Sequence, residues 1–96
     1  MKIVLRPHLE IRLAQRLIPR DYPKKIILNP EEKYFDTATN HKIAVKRLEY
    51  SGKLRPMALA YDIIGLEIQV ITIHPVSKHE IENKLNRGRW IKNEES

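Results

Sequence analysis

The stretch LEIQVITIHP, residues 66–75, narrows most what this chain can become. Side chains of a strand alternate between two faces, and here both faces are apolar for much of the length. Such a run belongs in a central strand covered on both sides. The rest of the chain must supply the covers.

MKIVL is a short apolar run before a charge and reads as a first strand. Pro7 suits the first turn of a helix, where its missing N–H costs nothing. Leu9, Leu13 and Leu17, with Ala14 and Ile18, make one buried stripe, so a helix is predicted over residues 7–18. Pro19 stops it. In DYPKKIILNP, Asp21 is a candidate N-cap, Pro23 falls in the first turn and Pro30 forbids continuation, which predicts a shorter second helix. KYFD reads as a brief strand inside a loop. KIAVKRLEY and LRPMALAYDII flank Gly52 as the arms of a hairpin whose turn centres on Ser51-Gly52 or on Gly52-Lys53. A slip of one residue between these registers would exchange the two faces. Ser77 and Glu80 form a capping box for a last helix, and Gly88 suits the left-handed cap that ends it. The prediction is α+β in the order β-α-α-β-β-β-α. The sheet is expected to be antiparallel, with helices mainly on one face and the other face partly open to a ligand.

Ninety-six residues make one domain, 1–96, with residues 91–96 expected to form a loosely ordered tail. The net charge of +6 and a pI near 9.7 call for an acidic partner. Nucleic acid, an anionic membrane surface or an acidic protein would all answer. The absence of cysteine excludes disulfides and thiolate metal sites. No apolar run reaches the roughly 18–20 residues needed to span a bilayer, and the amino terminus lacks the apolar length of a signal peptide. A cytoplasmic protein is expected. No histidine–carboxylate spacing suits a metal and no phosphate-cradling loop is present, so no cofactor is expected.

Three groups of residues carry chemistry. His8, Arg12 and Arg16 recur every four residues along the first helix. They span an arc of about 80° beside the leucine stripe. They make either an anion site with a titratable imidazole, or a helix border whose arginines cover the core and pair with carboxylates. Lys46, Arg47 and Arg55 fall on the hairpin, Tyr61 on its second strand and His74 at the end of the next. This group is either a basic, aromatic-dotted surface for a phosphate backbone or a solvated face guarded against aggregation. Arg87, Arg89 and Trp90 flank the stop of the last helix. The arginines suit a helix C-terminus. Trp90 could stack a base, close the edge of the core or meet a partner.

The pattern of His8, Arg12, Arg16 and Ile18, then Asn29-Pro30, VITIHP and EIENKLNRGRW, resembles a small prokaryotic domain family of unannotated function that is related to the BrnT and RelE/ParE toxins. The resemblance covers about residues 1 to 90. It implies a RelE-like fold and an mRNA-cleaving toxin, acting on RNA free or on the ribosome and neutralised by a small acidic antitoxin. A homodimer is compatible with it. Relatives of the ParE kind act instead on a topoisomerase, so fold alone does not settle the target. Arg47, Tyr61 and His74 stand as counterparts of the residues such toxins place on the concave face of the sheet. Trp90 stands where such toxins often carry a tyrosine.

RNA cleavage through the 2′-hydroxyl needs a base for that proton, cations for the charge gathering on phosphorus, and an acid for the departing 5′-oxygen. Histidine titrates in the right range, and arginine matches phosphate with paired hydrogen bonds. The expectation is His8 or His74 as base or acid, with Arg12, Arg16 and Arg47 as clamps. Lys46, Arg55, Arg87, Arg89 and Trp90 would extend the RNA contact. Competing readings are a non-catalytic nucleic-acid-binding module and a protein-binding toxin relative.

Overall fold

In the computed structural model, which describes residues 1–93, nine elements follow one another along the chain. They are β1 (Lys2–Leu5), α1 (Pro7–Gln15), α2 (Tyr22–Leu28), β2 (Glu32–Asp36), β3 (Lys42–Tyr50), β4 (Lys53–Ile64), β5 (Glu67–Pro75), α3 (Lys78–Asn86) and β6 (Trp90–Lys92). The strands form one sheet in the order β1-β5-β4-β3-β2-β6. The architecture is a single α+β domain with a six-stranded mixed sheet. It departs from the expected antiparallel sheet because β1 runs parallel to β5, pairing Lys2 with Glu67 through Leu5 with Val70. Every other pair is antiparallel. A four-residue apolar run announces a strand, but its partner lies more than sixty residues away.

Local signals act as the sequence suggests at several points. Ser51 and Gly52 both have positive φ, and Tyr50 pairs with Lys53 across them. This is the two-residue turn that fits the twist of its strands, and it resolves the hairpin register. The capping box of α3 is complete, with Glu80 donating its amide to Ser77 Oγ at 3.0 Å and Ser77 donating its amide to Glu80 Oε1 at 3.2 Å. Past its end, Gly88 takes φ +71, and Arg89 and Gly88 donate to the carbonyls of Lys84 and Leu85. Asp21 does not cap α2 with its side chain, and pairs instead with Lys25 one turn on.

The C-terminus of α1 repeats the geometry of the Gly88 cap without a glycine. Ile18 donates to the carbonyl of Leu13 and Leu17 to that of Ala14, the two bonds of a Schellman cap. Leu17 holds the left-handed position at φ +56 and is 84% exposed. The apolar contact that closes such a cap is supplied by buried Ile18 and Leu13.

Two cores lie on opposite faces of the sheet, as the alternation along β4 shows. Met57, Leu59 and Tyr61 point to the side where Leu9, Leu13 and Ile26 of α1 and α2 pack. Ala58 and Ala60 point to the other side, where Tyr34, Val45, Trp90 and Ile81 of α3 gather. The face expected to be partly open is therefore occupied by α3, while two of the three helices share the other.

The last strand was legible only as a tail. Trp90–Lys92 pairs with β2, and Asn93 donates its amide to the carbonyl of Lys33. Of the tail expected over 91–96, Ile91 and Lys92 are thus in the sheet, and 94–96 lie outside the described residues. Asp36 ties this edge together. It is 5% exposed and accepts from the amides of Ala38 and Thr39, from Arg89 Nε at 2.8 Å and from Trp90 Nε1 at 3.4 Å. Burial alone would raise its carboxyl pKa. The Arg89 guanidinium and the two amides outweigh that and hold it at about 2.

Two stability predictions follow from these caps and ties. Replacing Leu17 with Gly removes the left-handed strain of a side chain that buries almost nothing. Glycine's greater freedom in the unfolded chain offsets part of that gain, so a net stabilisation of about 0.5–1 kcal/mol is expected by denaturant titration. Asp36→Ala strands an arginine, two amides and a buried indole N–H, and should cost roughly 2–4 kcal/mol. Because the Asp36 pKa is depressed on folding, its contribution is complete above the ordinary carboxylate range. It is lost as pH falls from about 4 toward about 2, and Asp36→Asn should flatten that limb of an acid-unfolding curve.

Candidate anion-binding groove

The free edge of β5 creates the site. β1 pairs only with Glu67–Val70, so among the described residues the second half of β5 has no strand on that side. The pairing of β4 with β5 also shifts register between Ala60 and Tyr61: Ala60 faces Thr72 while Tyr61 faces Val70, and Ile71 is the extra residue. Before the shift Ile68 and Val70 point into the α1–α2 core, and after it Ile73 does. Thr72 and His74 are thereby turned out of that core to the α3 face of the sheet, which they share with Ala60 and Ala58, beside the open edge.

α1 passes beside this edge with its Leu9 and Leu13 stripe on the sheet. The same packing sets Arg12 and Arg16, on the border of the stripe, over the edge. Together Arg12, Arg16, Tyr50, Thr72, His74 and Pro75 line an open groove of about 560 Å³. Tyr50 reaches it from the end of β3, where its hydroxyl donates to the Arg16 carbonyl at 2.8 Å. Arg55 in turn donates from Nε to the Tyr50 carbonyl at 3.1 Å. This chain of bonds fixes the end of α1 against the hairpin.

Three of the other arginines spend their charge on carboxylates. Arg20 pairs with Glu10, Arg47 with Glu31 and Arg89 with Asp36. Among the described residues Arg12 and Arg16 have no carboxylate partner. Two guanidiniums one helical turn apart thus line the same groove as an imidazole and a threonine hydroxyl, side chains of the kind that bind anions. His74 is half-buried. Burial lowers its pKa below the ordinary histidine value, and the positive charges of Arg16 and Lys84 lower it further against the opposing pull of Glu80. Near pH 7 its imidazole is neutral and able to accept a proton.

The other residues named from the sequence fall elsewhere. His8 is exposed near the start of α1 and does not line the groove. Arg47 points to the α3 side of the sheet. There, together with Glu31, Tyr34 and Lys78, it borders a separate cleft of about 540 Å³. Its backbone amide and then its guanidinium hold the Glu31 carboxyl below its usual range. Tyr61, 8% exposed, belongs to the α1–α2 core. Lys46 shares the face of Ala44 and Tyr50 and is half-buried, and Arg55 is taken by the Tyr50 carbonyl. Arg87 caps α3 and is exposed. Trp90 is 3% exposed and stacks on Tyr34 with ring centroids 5.3 Å apart, so its ring has no face left for a base. His41 pairs with Asp62 at 2.8 Å. Sequence reasoning missed Tyr50 and Thr72. Tyr50 stood at the edge of the hairpin turn with nothing to mark it, and Thr72 owes its direction to the register shift.

Sulfate keeps its charge between pH 5 and 8 and is therefore a clean probe of the groove. An anion held beside Arg16 offsets that guanidinium's charge, the second cause after burial of the lowered His74 pKa, so binding raises the His74 pKa. By linkage, sulfate affinity should rise severalfold as pH falls from 7.5 to 5.5. His74→Gln should leave a nearly flat profile by isothermal titration calorimetry.

Among the described residues no helix is long and apolar enough to cross a membrane. Comparison of the chain with protein-family models, with curated proteins and with solved structures gave no match.

Proposed function

We propose that this is a toxin-like RNA-binding protein that cleaves mRNA, with the phosphodiester seated in the groove between α1 and the open edge of β5. The observation that carries the reading is the pair of uncompensated guanidiniums, Arg12 and Arg16, beside the neutral imidazole of His74. The chain's net charge of +6 supplies the long-range attraction that brings a polyanion to it. The first-helix motif resembles a domain family of unannotated function related to toxins of the BrnT and RelE kind, and that resemblance agrees with this chemistry. A small acidic antitoxin is the partner such a toxin requires.

In the proposed reaction the imidazole of His74 takes the proton of the 2′-hydroxyl. The 2′-oxygen forms a bond to phosphorus, and the bond from phosphorus to the 5′-oxygen breaks. The 5′-oxygen takes a proton from water, and His74 returns its proton to solvent. The products are a 2′,3′-cyclic phosphate and a 5′-hydroxyl. Arg12 and Arg16 hold the non-bridging oxygens, where negative charge grows toward the transition state. This step asks nothing of a metal.

The test uses the purified protein and a structureless RNA in the presence of a chelator. Cleavage with a 2′,3′-cyclic end is expected. His74→Ala should lower its rate by about 10²–10⁴-fold while RNA binding falls far less. Arg16→Ala should weaken both. His8→Ala, outside the groove, should change neither. Binding with no product at any protein concentration would instead identify a non-catalytic nucleic-acid-binding module. Cutting undiminished in His74→Ala would remove the assigned base.

A further inference from the structure

The chain has six aromatic residues, and their placement is unequal. Tyr22, Tyr34, Tyr61 and Trp90 are buried. Phe35 is half-buried on β2, three strands from β5 in the sheet, or about 14 Å across the ladder. Tyr50 alone lines the cationic groove. Its ring is half-buried and packs against the α1–α2 core, so the side that faces the groove is backed by a rigid surface. Its hydroxyl is committed to the Arg16 carbonyl and its own carbonyl to Arg55, which leaves the ring little freedom to turn. A held, half-covered ring beside two phosphate-seeking guanidiniums is the arrangement a nucleotide meets when its base stacks and its phosphate is clamped. The separate cleft on the α3 side lacks this pairing of features, because Glu31, Glu32 and Glu82 on its walls repel a phosphate backbone.

We propose that Tyr50 is a base-stacking, specificity-determining residue of the groove: the base next to the phosphate held by Arg12 and Arg16 lies on the Tyr50 ring, and a purine is preferred there. The inference rests on the RNA reading above and adds which base the site favours. Purines win because stacking grows with the area of the overlapping rings. A hydrogen-bonding code is absent from this preference, so adenine and guanine should both serve.

The experiment compares 2′-O-methyl U10, which cannot be cut through its 2′ position, with the same oligomer carrying one central adenine. Affinities are read by fluorescence anisotropy of end-labelled strands. The adenine strand should bind the wild-type protein severalfold more tightly. Tyr50→Leu should bring the ratio close to one and lower affinity for the adenine strand by roughly tenfold. Tyr50→Phe, which keeps the ring and loses the bond to Arg16, should retain the preference. A second readout needs no variant: the Tyr50 ring proton resonances should move upfield when the adenine strand is added. Equal affinity of the two strands for the wild type would overturn the stacking role. So would a preference that survives in Tyr50→Leu, a preference that disappears in Tyr50→Phe, or Tyr50 resonances that stay in place. Failure of the wild type to bind either strand would overturn the RNA reading and the stacking role together. Binding without discrimination overturns only the stacking role.

Discussion

The register shift between β4 and β5 governs the chemistry of this fold. A regular strand would send Thr72 and His74 the same way as Ile68 and Val70, into the core under α1 and α2. One extra residue, Ile71, breaks the alternation. Ile73 returns to the core, and the polar residues on either side of it turn to the opposite, α3, face beside the open edge. The second condition is that β1 stops at Val70 on its partner. A longer first strand would have covered the edge that His74 now shares with Arg12 and Arg16. Two local decisions, a bulge and a short strand, therefore turn a sheet built for packing into one that also presents a polar groove.

The distribution of charge follows the same geometry. The arginines at the rim of the sheet and beyond α1 find carboxylates: Glu31 for Arg47, Asp36 for Arg89 and Glu10 for Arg20. These pairs lie away from the groove and use up much of the nearby negative charge. Surface pairs of this kind contribute little to stability, whereas the buried Asp36 carboxylate organises an entire edge through four hydrogen bonds. Arg12 and Arg16 stay uncompensated because the surfaces they face, the end of β5 and the ring of Tyr50, offer no acid. Burial, and after it the charges of Arg16 and Lys84, lower the His74 pKa.

Rigidity has an equally specific source. The α1 cap places Leu17 in a left-handed conformation so that Ile18 can fold onto Leu13, and the Arg16 carbonyl is then met by the Tyr50 hydroxyl. The strained cap and the hydrogen bond together set where the two guanidiniums end. A groove made by loosely held arginines would bind anions without orienting them. Here the end of the helix is tied to the sheet through a side chain that itself lines the groove.

Much of this was written in the linear order of residues. Pro7 and the Leu9, Leu13 stripe specify α1, the Ser77–Glu80 box and Gly88 bracket α3, and Gly52 marks the hairpin, because helix starts, caps and tight turns depend on neighbours within four or five positions. The spacing of Arg12 and Arg16 likewise placed both on one helical edge. What the chain order could not express is contact between distant segments. It did not reveal that β1 runs parallel to β5, that Trp90 closes a core against Tyr34, that Arg47 faces away from Arg12, or that Tyr50 enters the groove. The bulge at Ile71 decides the direction of His74, and a bulge is a property of two paired strands rather than of either one. Local chemistry by itself determined most of the elements, β6 excepted, and the basic character of the protein. Only long-range pairing, which balances burial and hydrogen bonding across the whole sheet, decided which of its charges meet.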